Sequence, residues 1–462
     1  MTPTTLYEHE FCPFDWTDRD LKMLARINRD GADILRPVVR QARRGLKATQ
    51  FVGVVRFGEH TFEILPKMHR RHSAETHNTT EINGRNQEAA TRNLLYFLSY
   101  VQNLDIRAED YSLPITSRCS DWLELLTRLF ATRLREIWRR GASRRYQTRD
   151  EELPMLRGRL RIPDQLRRPD RPYRFAVTTD NLSHDNPLNR LMRFVVERLW
   201  LLTHDLENRS LLGDLRERMD GVTLLHAVSA ADCERCELSC GDPRFGREYL
   251  PLLNLARLFL NGGALQLTAG DMATCAFVFD MNALFEAFVV GYILRERDRL
   301  LSGKLHACTL HPQASGSLLH LAHANGKRLF QLKPDLVFRH GEDFPLLLDA
   351  KYKRLDPAGS KYGIAEADFY QMHAYAARCR SPRVLLIYPQ TADMNAPLHR
   401  EFHLHSDTGH TITAATIDLC ADFSDPEARR LLETRLRELL APGVESTQST
   451  GQPSGMGRTI SP

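Results

Sequence analysis

The sequence predicts a multi-domain α/β protein: a mixed α/β N-terminal region, a helical middle, and a C-terminal α/β core that runs helix, strands, helix, strand. At 462 residues the chain exceeds one ordinary domain. Phe51 to Lys67 alternates apolar and polar residues about Gly58-Glu59, the pattern of a β-hairpin. Beyond residue 280 a long apolar helix leads into strand-like runs, a second helix and a buried strand.

In chain order, the first fifty residues read as a short strand and a helix around Asp18 to Asp30. After the hairpin, His69 to Asn86 is polar and aperiodic and reads as a loop, where His69, His72 and His77 are a weak metal-binding signal. Helical periodicity marks Asn93 to Val101. It is strongest over Asp121 to Arg140, with Asp121 as N-cap and Trp122, Leu125, Leu126, Leu129, Ile137 and Trp138 on one stripe. Pro187 to His204 opens on Asp185-Asn186-Pro187, a capped start with proline in the first turn, and Tyr249 to Leu260 continues the helical middle.

Asp280 caps a helix expected over Met281 to Arg297, whose buried stripe is Leu284, Phe285, Phe288, Val289, Tyr292 and Ile293. Strands are expected at Leu305–Leu310, Leu318–His323, Arg328–Arg339 and Leu346–Lys353, then a helix at Ala365–Cys379 and a buried strand at Arg383–Tyr388. Strands at Glu401–His405 and Thr411–Leu419 and a helix at Pro426–Leu440 complete the ordered part. The regions are thus 1–110 (mixed α/β), 111–268 (helical, arginine-rich at its start), 269–441 (the C-terminal α/β core) and 442–462 (a Gly, Ser, Thr and Pro-rich tail that reads as disordered). Residues 1–160 are expected to be dispensable for folding of the core.

Composition narrows the class. The chain is 42% hydrophobic and 26% charged, typical of globular proteins. It contains no run of about 18 apolar residues, hence no expected membrane span, and its start lacks the basic and apolar parts of a signal peptide. Nine scattered cysteines argue against a disulfide framework, so a reducing cytoplasm is expected. Net charge is only +5, but arginines crowd between Arg128 and Arg174. That stretch could grip phosphates or an acidic protein, or be a solvated helix face and loop. Cys233, Cys236 and Cys240 form the one cysteine cluster; zinc would need a fourth ligand, and packing on one helix face accounts for them as well.

The chemistry concentrates late in the chain. Asp349 and Lys351 are two apart on an apolar strand, so they leave the same face. If the strand carrying Pro334-Asp335 is its hairpin neighbour, Asp335 joins them. Two carboxylates can hold a hard cation such as Mg²⁺ through oxygen, and a lysine can orient a water or stabilise charge on a phosphorane. A buried salt bridge between strands is the structural alternative. Glu286, beside the apolar helix stripe, is a candidate third ligand, directly or through water, or else an ordinary surface glutamate. Gln371 and Tyr375 share a helix face that could touch the phosphate or the water.

These residues resemble a known pattern. Glu286, Pro334-Asp335, Asp349-Ala350-Lys351 and Gln371-x₃-Tyr375 are similar to the PD-(D/E)xK nucleases in their form with a downstream Gln-x₃-Tyr. The wording of Asp280 to Glu286, Lys333 to Asp335, Leu348 to Lys353 and Asp368 to Met372 resembles the McrC family, the nuclease subunit of McrBC modification-dependent (type IV) restriction systems. Leu156 to Leu160, Asp185 to Arg190, Val52 to Val54 and Glu63 to Lys67 are similar to it too, so the resemblance covers most of residues 5 to 440.

It implies a restriction-endonuclease-like αβββαβ core over 269–441 and a partner-docking region over 1–110, with Asp335, Asp349, Lys351, Glu286 and Gln371 catalytic, and Asp335, Asp349 and Glu286 holding Mg²⁺. It also implies a separate McrB-like AAA+ GTPase hexamer as partner, which uses the GTP, and double-stranded DNA with modified cytosine as substrate. The sequence has no G-x₄-G-K-[S/T] phosphate loop, as that division of labour requires. The alternatives are a stand-alone repair or recombination nuclease and a non-catalytic DNA-binding adaptor.

Overall fold

The computed structural model describes residues 4–28, 33–70, 79–101, 122–167, 169–239, 248–261, 274–313, 319–324, 327–404 and 409–441. Cys240, His72, His77, Asp121 and the 442–462 tail lie outside them.

The N-terminal region holds strands β1 (Thr4–Tyr7), β2 (Phe11–Pro13), β3 (Leu35–Arg40), β4 (Arg43–Ala48), β5 (Phe51–Phe57) and β6 (His60–Leu65), and the helix Asp18–Ile27. Thr17 and Asp20 close a capping box at the start of that helix. The expected hairpin is present as β5 and β6, joined through Gly58. The small sheet β2-β4-β3 was not expected, because Arg36, Arg40, Arg43 and Arg44 obscure its alternation. Helix Thr79–Val101 begins well before its expected start, inside the segment read as a loop. Thr79 to Asn86 is too polar to display a stripe. His69 sits buried in the short turn Lys67–His69, where desolvation pulls its imidazole down to about 4.

The middle contains helices Trp122–Gly141, Pro187–Leu202, Leu206–Arg218, Ala230–Ser239 and Leu250–Asn261, with Asn186 capping the second as its sequence suggests. It also contains a sheet, which corrects the reading of this region as helical. Strands β7 (Arg145–Leu153), β8 (Arg159–Leu160) and β9 (Phe175–Ser183) pair in the order β7-β9-β8. Thr148 donates to Asp180 at 2.6 Å and Thr178 to Asp150 at 2.7 Å, each across a paired position. A ribbon held by such a polar ladder shows no apolar alternation, and so no strand signal.

The C-terminal region begins with a second correction. Strand β10 (Thr274–Asp280) pairs antiparallel with β5, completing the sheet β1-β6-β5-β10. Gly53 faces Val278 in this pair; a Cβ there would overlap Phe277 O. The boundary expected near residue 269 therefore falls within one sheet. Asp280 ends β10 and caps helix Met281–Arg295 by accepting from Asn282 N.

Strands β11 (Thr309–Pro312), β12 (His320–Ala324), β13 (Lys327–Gln331), β14 (Leu336–His340) and β15 (Asp343–Ala350) follow. Next come helix Glu366–Cys379, β16 (Arg383–Gln390), β17 (His399–His403), β18 (Thr411–Asp418) and helix Pro426–Leu440. The run expected as one strand over Arg328–Arg339 is two, because Pro334 cannot donate to a ladder. Six strands form the sheet β11-β14-β15-β16-β18-β17. One continuous apolar core joins the hairpin (Val52, Val54), the middle helices (Phe130, Phe259), helix 281–295 (Phe285, Phe288) and this sheet (Leu346, Leu348).

Candidate active site

The sheet assembles the site. Leu336 pairs with Leu348, so Asp335, one residue before β14, comes beside Asp349 on β15. Ala350 N donates to Asp335 Oδ2 at 2.7 Å, which orients that carboxylate. Lys351 N donates to Ile387 O at 2.8 Å, and Lys351 Nζ lies 2.7 Å from Asp349 Oδ2. Asp349 is 1% exposed and Asp335 8%. Asp349 Oδ1 is buried with no hydrogen-bond partner among the described residues.

Electrostatics at this point are strained. Burial pushes the Asp349 carboxyl above the ordinary carboxylate range and the charge of Asp335 adds to that, against the pull of Lys351. Burial likewise raises Asp335, opposed by the Ala350 N–H and reinforced by Glu286. Burial alone would lower the Lys351 ammonium; the charges of Asp349, Asp335 and Glu286 outweigh it and hold Lys351 above its usual value. Three carboxyls thus share one ammonium. A cation at the paired aspartates would relieve the excess.

Glu286 and Asp335 line one cleft of about 630 Å³ that runs along helix 281–295 past Val290, Gly291 and Arg295 to Tyr100. Burial raises the Glu286 carboxyl, and Lys351 and Asp349 both act on it. Among the described residues, however, no three His, Cys, Asp or Glu side chains converge as a ready metal cluster. The site therefore offers two close carboxylates with Glu286 facing them. That set suits a hard cation such as Mg²⁺, which takes one or two carboxylates and completes its shell with water and substrate oxygens. The orphaned Asp349 Oδ1 fits the same group.

Gln371 and Tyr375 do share a face of helix 366–379: Gln371 Nε2 donates to Tyr375 Oη at 2.6 Å. Burial and the Asp349 charge push the Tyr375 phenol up to about 12, so Gln371 connects to the site through Tyr375. Sequence reasoning gave no role to Lys353, whose Nζ lies 2.8 Å from Asp368 Oδ2 and ties the segment after β15 to this helix. Its place two beyond Lys351 was the available signal. Cys233 and Cys236 pack inside the apolar core, where burial pushes the Cys233 thiol up to about 12.

Residues 46–389 match the family model of the McrBC 5-methylcytosine restriction system component. The chain belongs to that family. No curated protein matches it. A chain in the refined half-complex from a tetradecameric assembly of Thermococcus gammatolerans McrB AAA+ hexamers with bound McrC superposes with a TM-score of 0.69 at 21% identity. The match covers 95% of this chain and 100% of that one, and at this identity the likeness is one of fold. A chain in the cryo-EM structure of the Thermococcus gammatolerans McrBC complex aligns with a TM-score of 0.48 at 24% identity, over 66% of this chain and 89% of that one. No helix among the described residues is long and apolar enough to cross a membrane.

Proposed function

We propose that this chain is the McrC-type nuclease subunit of its system, a Mg²⁺-dependent DNA endonuclease of the PD-(D/E)xK kind that works with a separate McrB-like AAA+ GTPase hexamer. The observation that carries the reading is the meeting of two buried carboxylates and one lysine at the end of the β14–β15 hairpin. A structural salt bridge needs one carboxylate per cation; here the surplus buried carboxyl is unexplained without a ligand.

Asp335 and Asp349 would hold Mg²⁺, with Glu286 reaching it through water. The bound cation supplies Lewis-acid polarisation of the phosphate and a more acidic water. Lys351 is placed to orient the attacking water and to offset charge gathering on the phosphorane. Tyr375, steadied by Gln371, borders the same carboxylate. The cleft past Glu286 towards Arg295 is open ground for a DNA strand leading to the aspartates. Partner docking finds support in the β7–β9 unit, where Tyr146, Met155, Leu156, Ile162, Leu166 and Tyr173 are exposed. Apolar side chains so placed suit a protein surface. Residues 1–110 therefore need not be the only docking region.

The test is cleavage of modified plasmid by the chain together with its cognate AAA+ protein, GTP and Mg²⁺. Lys351→Ala is expected to abolish cutting while Mn²⁺ binding, measured by calorimetry, survives. Asp349→Asn is expected to abolish both. Wild-type cutting by Asp349→Asn would refute the site.

A further inference from the structure

Two segments with no assigned role meet behind the site: the Leu65-Pro66-Lys67 turn and Tyr352, which follows Lys351. Tyr352 is 2% exposed, and its hydroxyl donates to Glu8 Oε2 at 2.7 Å. Lys67 Nζ donates to the Tyr352 carbonyl at 3.2 Å and stands 4.3 Å from the centre of its ring. Lys67 N donates to the same Glu8 oxygen at 2.8 Å, closing the cluster. Glu8 is itself 2% exposed, and its other oxygen, Oε1, is buried with no hydrogen-bond partner among the described residues.

This arrangement is costly. A carboxylate, an ammonium and a phenol lie at a junction where apolar side chains of similar volume would be as stable or more so. What they provide is position. β15 ends at Ala350, so Lys351 and Tyr352 lie beyond its ladder. The Lys351 N–H is held by Ile387 O, and the next residue is gripped at its carbonyl by Lys67 and at its hydroxyl by Glu8. The Tyr352 ring also packs against Phe285, 5.7 Å between centroids, one residue before Glu286. The helix that carries Glu286 starts from the same sheet: Asp280 ends β10 opposite Phe51 of β5, and Gln50, just before β5, donates from Nε2 to Asp280 Oδ2 at 3.3 Å and accepts from Met281 N at 3.1 Å.

We propose that Glu8 and Lys67 are positioning residues for the nuclease site, clamping Tyr352 at both ends so that the main chain presents Lys351 to Asp349. The proposal rests on the nuclease reading of Asp335, Asp349 and Lys351. It makes the N-terminal sheet part of the cutting machinery, with a contact from it to each arm of the site.

The experiment uses the full chain with its AAA+ partner and compares wild type, Tyr352→Phe and Lys67→Met. Both variants remove one clamp contact and keep most of the side-chain volume. Expected is a fall in kcat on the order of tenfold, the scale of one lost charged hydrogen bond, with KM for DNA unchanged. In parallel, competitive acetylation read by mass spectrometry should show Lys351 more reactive in both variants, because its pairing with Asp349 loosens. Thermal unfolding identifies any variant that is merely less folded. Wild-type kcat together with wild-type Lys351 labelling would overturn the clamp, as would a loss of stability with both unchanged per folded molecule. If the wild-type complex fails to cut DNA, the nuclease reading falls instead, and the labelling still decides whether the clamp sets Lys351.

Discussion

Ala350 donates its backbone N–H to Asp335 Oδ2 at 2.7 Å, so the carboxylate ahead of β14 is held by the strand that carries its companion. Among the described residues Asp349 has no such backbone donor and its Oδ1 has no hydrogen-bond partner; its near contact is Lys351 Nζ. The two aspartates are therefore unequal: one is fixed by the fold, and the other is kept against the preference of the fold.

Asp349→Asn should consequently leave the metal-free protein as stable as wild type, or more stable by about 1 kcal/mol, while removing metal binding. Thermal unfolding without divalent ions checks this. A loss of more than ~2 kcal/mol would mark Asp349 as a structural ion-pair partner.

The pH dependence follows from the same burial. Asp335 and Asp349 both titrate above the ordinary range of about 4 in the folded chain. Across the window between that range and their folded values the native state binds more protons than the unfolded state. The stability they contribute is then present at acid pH and lost as pH rises towards neutrality. Glu8, raised to about 7 chiefly by burial, adds the same slope, whereas His69, lowered to about 4, contributes a gain in stability as pH rises through its window. The difference between wild type and Asp349→Asn isolates the site. Added Mg²⁺ should raise the wild-type unfolding temperature more at pH 8 than at pH 5.5, because ionised carboxylates bind it; an equal effect at both would contradict the assignment.

Much of the site was legible because its residues are local in sequence. Asp349 and Lys351 share a strand, and the Asp335 strand is the hairpin neighbour, so period-two reasoning brings them together. Helix 281–295 with its Asp280 cap was legible for the same reason. What escaped depended on distant partners. Nothing near Thr274–Asp280 indicates that β5, more than two hundred residues earlier, is its neighbour. The polar ladder of β7 and β9 mimics a charged loop, and Glu8 becomes meaningful only beside Tyr352.

The packing argues against the expectation that residues 1–160 could be removed. Their loss would strip β10 of β5 and remove Asn93, which donates to Leu419 O at 3.0 Å and Ala421 O at 2.7 Å. It would also uncover Phe288 and Tyr292 of helix 281–295, which pack on Tyr96, Phe97 and Tyr100. A chain beginning at residue 161 should therefore be aggregated or partly unfolded, with exposed apolar surface detectable by dye binding. A monodisperse, cooperatively unfolding, metal-binding fragment would show the C-terminal region to be autonomous.

Purified alone, the full chain should cut DNA poorly. Its sequence shows no G-x₄-G-K-[S/T] phosphate loop and its net charge is only +5, so the motor is expected to be a separate chain. One chain supplies one cluster of Asp335, Asp349 and Lys351, whereas cutting both strands of a duplex needs two clusters facing opposite strands. A second copy must be brought to the same place, and a ring-forming motor chain is the means proposed. The measurement is cleavage of methylated and unmethylated plasmid with Mg²⁺, with and without the cognate AAA+ protein and GTP. Cutting should require all components and favour the modified substrate. Robust cleavage by the single chain, indifferent to modification, would instead make it a stand-alone nuclease.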